Sequence, residues 1–343
     1  MRALLFIGII AFLIFEGCSQ RKDFVPKKIS GSVTFNKVLP SELEWSSRNS
    51  VILKNGEVIS KSGGTLLKLQ KNSRLLNEND KYYMIMQDCQ HIELIDKVTQ
   101  KTKKFPTRSC AFSANMKDHF LAFVLIDNSY GIYDINTGEM IFSDRGSSAI
   151  AVDSLNASPA FLDTLVVFPT LDGQISGVSL RTKKLERTII VHSEKFFSNV
   201  IFLDAADSRI FAATPKRLIT LVGGRQFDYE ANIRDVKLYN GYLYVLTLEG
   251  KILQLDATMR VVNELSLPFA VLSGIVIEKN KLYTMERLGY LIEVDLDDFQ
   301  HKTYTLHDVL GKVPRNKIVF YNDSRIYYDR YYLDFSRKWK KKK

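Results

Sequence analysis

The stretch Leu243-Tyr-Val-Leu-Thr-Leu-Glu-Gly-Lys-Ile-Leu-Gln-Leu-Asp256 recurs in outline at residues 282–295 and 165–178. Each copy is an apolar run, a short turn ending in glycine, and a second run in which apolar and polar residues alternate. That is the pattern of a β-hairpin. The glycines Gly56, Gly131, Gly173, Gly250 and Gly289 stand 75, 42, 77 and 39 residues apart. The two long gaps are each near twice 38, and each holds a degenerate hairpin, at residues 82–96 and 209–221. A last hairpin, at 325–334, follows Gly289 by one more period. Eight hairpins at this spacing predict an all-β fold, because a four-stranded propeller blade takes about 40–50 residues. The expectation is a β-propeller of about eight four-stranded blades. Seven stays open, since residues 29–45 and the last hairpin could share one blade.

Rival all-β folds fit less well. A sandwich shows turns every 8–12 residues or so without a longer super-period. An outer-membrane barrel needs strands of about ten residues with a lipid-facing apolar band. The strands read here run five to seven residues and carry Lys, Glu or Gln at alternate positions. Length alone suggests two domains, but the repeat argues for one ring.

The two ends are unlike the middle. Met1-Arg2 precedes 13 apolar residues, 3–15, and then Glu16-Gly17-Cys18-Ser19. A basic start before a run of about 7–15 apolar residues marks a secretory signal, and the run falls short of the roughly 20 residues that span a bilayer. Gly17-Cys18 resembles the lipobox of bacterial lipoproteins, in which the cysteine is lipidated and becomes the mature N-terminus. Phe15 and Glu16 depart from the usual Leu and small residue. An ordinary signal peptide or an uncleaved N-terminal helix, with Cys18 merely nearby, is the alternative. The resemblance implies a signal at 1–17 and lipidation at Cys18, and the repeat and the terminal charges complete the division into a tether at 18–30, a propeller at 31–336 and a basic tail at 337–343. Ser19 after the cysteine resembles lipoproteins sent to the outer membrane, on its periplasmic side.

The tail holds six of the surplus positive charges, so the net +10 falls to +4 without it (10 − 6). The pI is therefore a poor argument for nucleic acid. The tail reads as solvated, or as a weak contact with an anionic membrane. Export would place Cys89 and Cys110, 21 residues apart, where disulfides persist. They could be bridged or be two buried thiols.

The pattern Leu-Tyr-Val, a glycine turn, then Ile-Leu-Gln-Leu-Asp resembles the repeat of quinoprotein-type (PQQ-like) propellers. A lipoprotein built wholly from such repeats is similar to the BamB family of outer-membrane assembly factors. This resemblance implies a non-catalytic scaffold whose partners are the barrel-assembly machinery and its substrates. Quinoprotein dehydrogenases share the repeat, but their tryptophan-bearing motif is not met here. Trp45 and Trp339 both lie outside the hairpins. Asp134, Asp256, Asp295 and Asp334 recur at strand ends, where turn hydrogen bonding explains them better than converging Ca²⁺ ligation. His91, His119, His192, His301 and His307 show no metal-helix spacing, and no Gly-x-Ser-x-Gly elbow or phosphate loop is present. The reading is no enzyme, no catalytic residue, no metal site and no cofactor.

Binding function on a rigid scaffold falls to loops. The long connections are 145–160, 181–199 and 309–317. The second sets Lys183, Lys184, Arg187 and His192 beside Phe196-Phe197, a mixture common at protein interfaces. Alternatively Phe196-Phe197 opens an inner strand. The competing function is a surface or periplasmic adhesion or ligand-binding propeller lipoprotein.

Overall fold

The computed structural model describes residues 22–194, 196–307, 317–337 and 341–342. Cys18, the signal and most of the connection 309–317 lie outside the described residues. Eight sheets of four core strands form eight blades, spanning 43–68, 74–106, 111–145, 160–190, 202–230, 233–266, 276–306 and 319–334. Blades are numbered here in that order.

Blade 6 shows how the residues make the unit. Its strands are Ile233–Tyr239, Tyr242–Thr247, Lys251–Leu255 and Val261–Ser266, each antiparallel to the next. The two middle strands are buried almost throughout, so their sequences run apolar. In the outer strand only the last three residues alternate apolar-in and polar-out as a sheet edge would, with Leu265 turned in and Glu264 and Ser266 out, while Val261 and Val262 are exposed.

The core is not one mass. Eight apolar clusters each bridge a pair of consecutive blades. Between blades 6 and 7, for example, Tyr244, Leu246 and Ile252 meet Leu282, Ile292 and Val294. Leu43, Val51 and Leu53 of blade 1 meet Phe320 and Tyr327 of blade 8, so the ring is closed.

Closure also uses the start of the chain. Lys37–Val38 pairs antiparallel with Tyr331–Asp334 as the fourth strand of blade 8. The first segment and last hairpin do share a blade. The count stays at eight because Leu43–Ser46 opens a blade of its own. Ser32–Val33 adds a parallel edge to the outer strand of blade 7, and Lys341–Lys342 pairs with it in turn. Phe24, inside the segment expected to be a tether, is buried and stands edge-on to Tyr290, centroids 5.7 Å apart.

One of the five glycines is not a turn residue. Gly56, Gly173, Gly250 and Gly289 do turn the chain at φ of 81–92°. Gly131 instead lies inside the strand Ser129–Asp134, closely overlaid by Phe123 and the Phe142 carbonyl. Asn128, at φ 62°, takes the left-handed turn position there, a conformation asparagine tolerates better than most residues.

Candidate functional site

The recurring aspartates are turn residues, as expected. Asp134 accepts the backbone N–H groups of Asn136 and Thr137, and Asp256 those of Thr258 and Arg260. Asp295 accepts from Asp297, whose amide holds the carboxyl below its ordinary range, and Asp334 accepts from Ser336. They belong to different blades and do not converge. The histidines likewise stand apart. His91 lies 3.2 Å from Asp88 and His119 3.8 Å from Asp134. Among the described residues no group of three His, Cys, Asp or Glu side chains is placed to hold a metal. Cys89, in the middle turn of blade 2, is bonded to Cys110, in the connection to blade 3.

A polar network crosses the middle of the ring. Arg48, in the first turn of blade 1, reaches blade 6 and donates from Nη2 to Asp235 Oδ1 at 3.1 Å. Asp235 also accepts the N–H groups of Val236 and Ile275, which fixes its carboxylate. The Arg48 guanidinium lies over Phe202 of blade 5, 5.8 Å from its centroid. Beside it, Asn49 donates from Nδ2 to Ser158 Oγ at 2.8 Å and to the Leu76 carbonyl at 2.9 Å. Asn115 donates to the Pro159 carbonyl, and Asn156 to Ser113 Oγ. These bonds pull the second half of the connection 145–160 into the ring, where Asn156 and Ala157 are buried. That half is therefore structural. The sequence offered no local signal for Arg48 or Asp235, which meet across 187 residues only because the ring closes.

The remaining loops define a face. In an antiparallel blade, the turn between second and third strands lies at the same end as the connection to the next blade. That end carries Ile126, Ile150, Phe196, Phe197, Leu248 and Phe269, all exposed. Phe196 and Phe197 lie outside any strand, and the inner strand of blade 5 opens at Phe202. The Phe197 N–H donates to the Ala151 carbonyl at 2.9 Å, tying two of the expected binding loops together. Lys184 and Arg187, by contrast, sit on the outer strand Lys184–Ile190 and not beside the phenylalanines. The N-terminal segment enters on this face too. Lys22 lies over the Phe269 ring at 5.7 Å, and Asp23 lies 3.7 Å from Arg287.

No protein-family model matches the chain. It is 38% identical, over 384 aligned positions, to the plasminogen-binding protein PgbB of Helicobacter pylori strain J99. The match covers 96% of this chain and 71% of that protein. PgbB of strain 26695 is 37% identical over the same share of this chain. Among solved structures, BamB from Moraxella catarrhalis superposes with a TM-score of 0.63 at 14% identity, covering 84% of this chain and 96% of BamB. The computationally designed Ika8 protein superposes at 0.61 and 12% identity, over 88% of this chain and 97% of Ika8. At such identities the two structures share the fold and nothing finer.

Proposed function

The chain belongs to the family of the plasminogen-binding protein PgbB, and from that premise we propose that it is a non-catalytic, surface or periplasmic propeller lipoprotein whose ligand is plasminogen. The carrying observation is 38% identity over 96% of the chain to a protein named for that binding. A match at this identity that covers nearly the whole chain speaks for a shared function more strongly than likeness of fold does. The outer-membrane assembly role implied by the BamB resemblance has support from fold alone, at 14% identity, so the ligand-binding reading takes precedence. Lipidation at Cys18 belongs to the same proposal, since a tethered propeller holds its ligand at the membrane.

The test is surface plasmon resonance with plasminogen immobilised and the purified chain in solution, with serum albumin as control. Saturable binding to plasminogen and none to albumin is expected. Equal signals on both surfaces, or none, would remove plasminogen as the ligand.

A further inference from the structure

Arg48, Lys61, Arg234 and Lys317 line one cavity of about 370 Å³, together with Asp153 and Asp235. Its walls come from blades 1, 6 and 8 and from the connections entering blades 4 and 7. The two carboxylates do not balance the four cations. Asp235 is already taken by Arg48 and by two backbone amides. Asp153 accepts the Leu155 N–H. Lys317 is held by Asp329 at 2.8 Å and Glu42 at 3.3 Å. Three donors are left over. Arg234 is exposed at the cavity, with no ion pair among the described residues. Lys61 is half-buried, donates to the Tyr321 carbonyl at 2.8 Å and lies over the Phe320 ring at 6.0 Å, and no carboxylate among the described residues pairs with its ammonium. Arg48 Nε is buried with no hydrogen-bond partner. A buried polar donor without a partner is costly, and a half-buried ammonium without a counter-charge has a strong attraction for an anion.

We propose that this cavity binds a small oxyanion, a carboxylate or a phosphate or sulfate group, between Lys61 and Arg234. Guanidinium and ammonium donors form their strongest hydrogen bonds to such groups. Leu155, Ile318, Val319 and Phe320 give the cavity an apolar wall for the rest of an organic anion. The volume falls in the range of small-molecule sites, about 300–1,000 Å³.

Burial lowers the Lys61 ammonium to a pKa of about 8. The charged groups facing it are Asp235 and Lys237 from blade 6, Arg48 from blade 1 and Asp323 from the turn of blade 8. A lysine with a lowered pKa loses its proton as pH rises through that value. Oxyanion affinity is therefore greatest below about pH 8 and declines above it.

The experiment follows thermal unfolding of the full chain in non-ionic detergent, titrating citrate or phosphate at ionic strength held constant with sodium chloride. A ligand bound only by the native state raises Tm saturably. A rise with citrate alone identifies a carboxylate site, and a rise with phosphate identifies a phosphate or sulfate site. Arg234→Ala should fold normally, because Arg234 is exposed, and should weaken the response about tenfold by loss of one charge-assisted bond. Lys61→Met should abolish the pH dependence of the citrate response between pH 7 and 9 or so, a range in which the citrate carboxylates stay ionised. No saturable rise with either anion, or an Arg234→Ala response equal to that of the unaltered chain, would overturn the proposal.

Discussion

Gly250 turns the chain between the second and third strands of blade 6 at φ 81°. A β-carbon there would run into the carbonyls of Leu267 and Ala270. The left-handed conformation costs a non-glycine residue about 1–2 kcal/mol, and overpacking adds about 1–3 kcal/mol. Gly250→Ala should therefore lower stability by about 2–5 kcal/mol in urea denaturation. Gly223 also has positive φ, at 55°, but faces open space. Gly223→Ala should cost only the conformational share, about 1–2 kcal/mol. Equal losses at the two positions would show that the collision, and not φ alone, had been misjudged. The same geometry explains what the spacing of glycines could and could not reveal. Four of the five marked real turns, because a left-handed turn favours glycine. Gly131 was wrong because asparagine can take that conformation too. Asn128 fills the turn, and Gly131 is needed instead for the close approach of Phe123 and the Phe142 carbonyl. The aspartates were legible for a similar reason, since a carboxylate at a strand end reaches the amides two and three residues on.

Hairpins were legible as elements because their signal is local: two apolar runs and a turn. Even the degenerate hairpins of blades 2 and 5 fall where the period put them, as Tyr82–Asp88 with His91–Asp96 and Arg209–Ala213 with Arg217–Val222. The two-residue strand Lys37–Val38 has no period to show, so its place in blade 8 could only be left open. The connection 145–160 was misjudged in part because polarity says nothing about which asparagines find partners. Asn156 and Asn199 are buried through bonds to Ser113 and to the backbone of Asp153, contacts set by the closed ring. Between elements, the Cys89–Cys110 bond closes a loop of 21 residues and fastens the middle turn of blade 2 to the approach of blade 3. Closing a loop of this length stabilises by about 3 kcal/mol in the chain-entropy account. The double variant Cys89→Ser, Cys110→Ser should lose about that much, and the unaltered chain should lose it on reduction. Two free thiols titrated in the native, unreduced protein would remove this staple.

At the scale of the whole molecule, the eight inter-blade clusters make the ring a disc with two faces, and under the proposed lipidation of Cys18 the point where the chain enters decides which face turns to the membrane. Lys22 and Asp23 lie against Phe269 and Arg287 on the face that also bears Ile126, Ile150, Phe196, Phe197 and Leu248. Cys18 stands four residues before Lys22. At no more than about 3.6 Å per residue, four residues reach roughly 14 Å. A lipid on Cys18 would therefore hold the Lys22 corner of this face, beside Phe269 and Arg287, within about 14 Å of the bilayer surface. A folded domain of 100 residues has a radius of gyration of about 13 Å and is too thick for that gap. With the face turned to the bilayer in this way, a protein ligand the size of a domain would dock on the rim or the opposite face, and the exposed phenylalanines would meet lipid. Hydrogen exchange of the lipidated chain on phosphatidylcholine–phosphatidylglycerol vesicles tests this against the Cys18→Ala chain in solution. Exchange should slow several-fold at residues 146–151, 196–198 and 248–250. It should be unchanged on the opposite face, at the turns 97–100, 136–138 and 181–183. Protection confined to the opposite face, or the same in both proteins, would place the disc the other way round or free it from the membrane altogether.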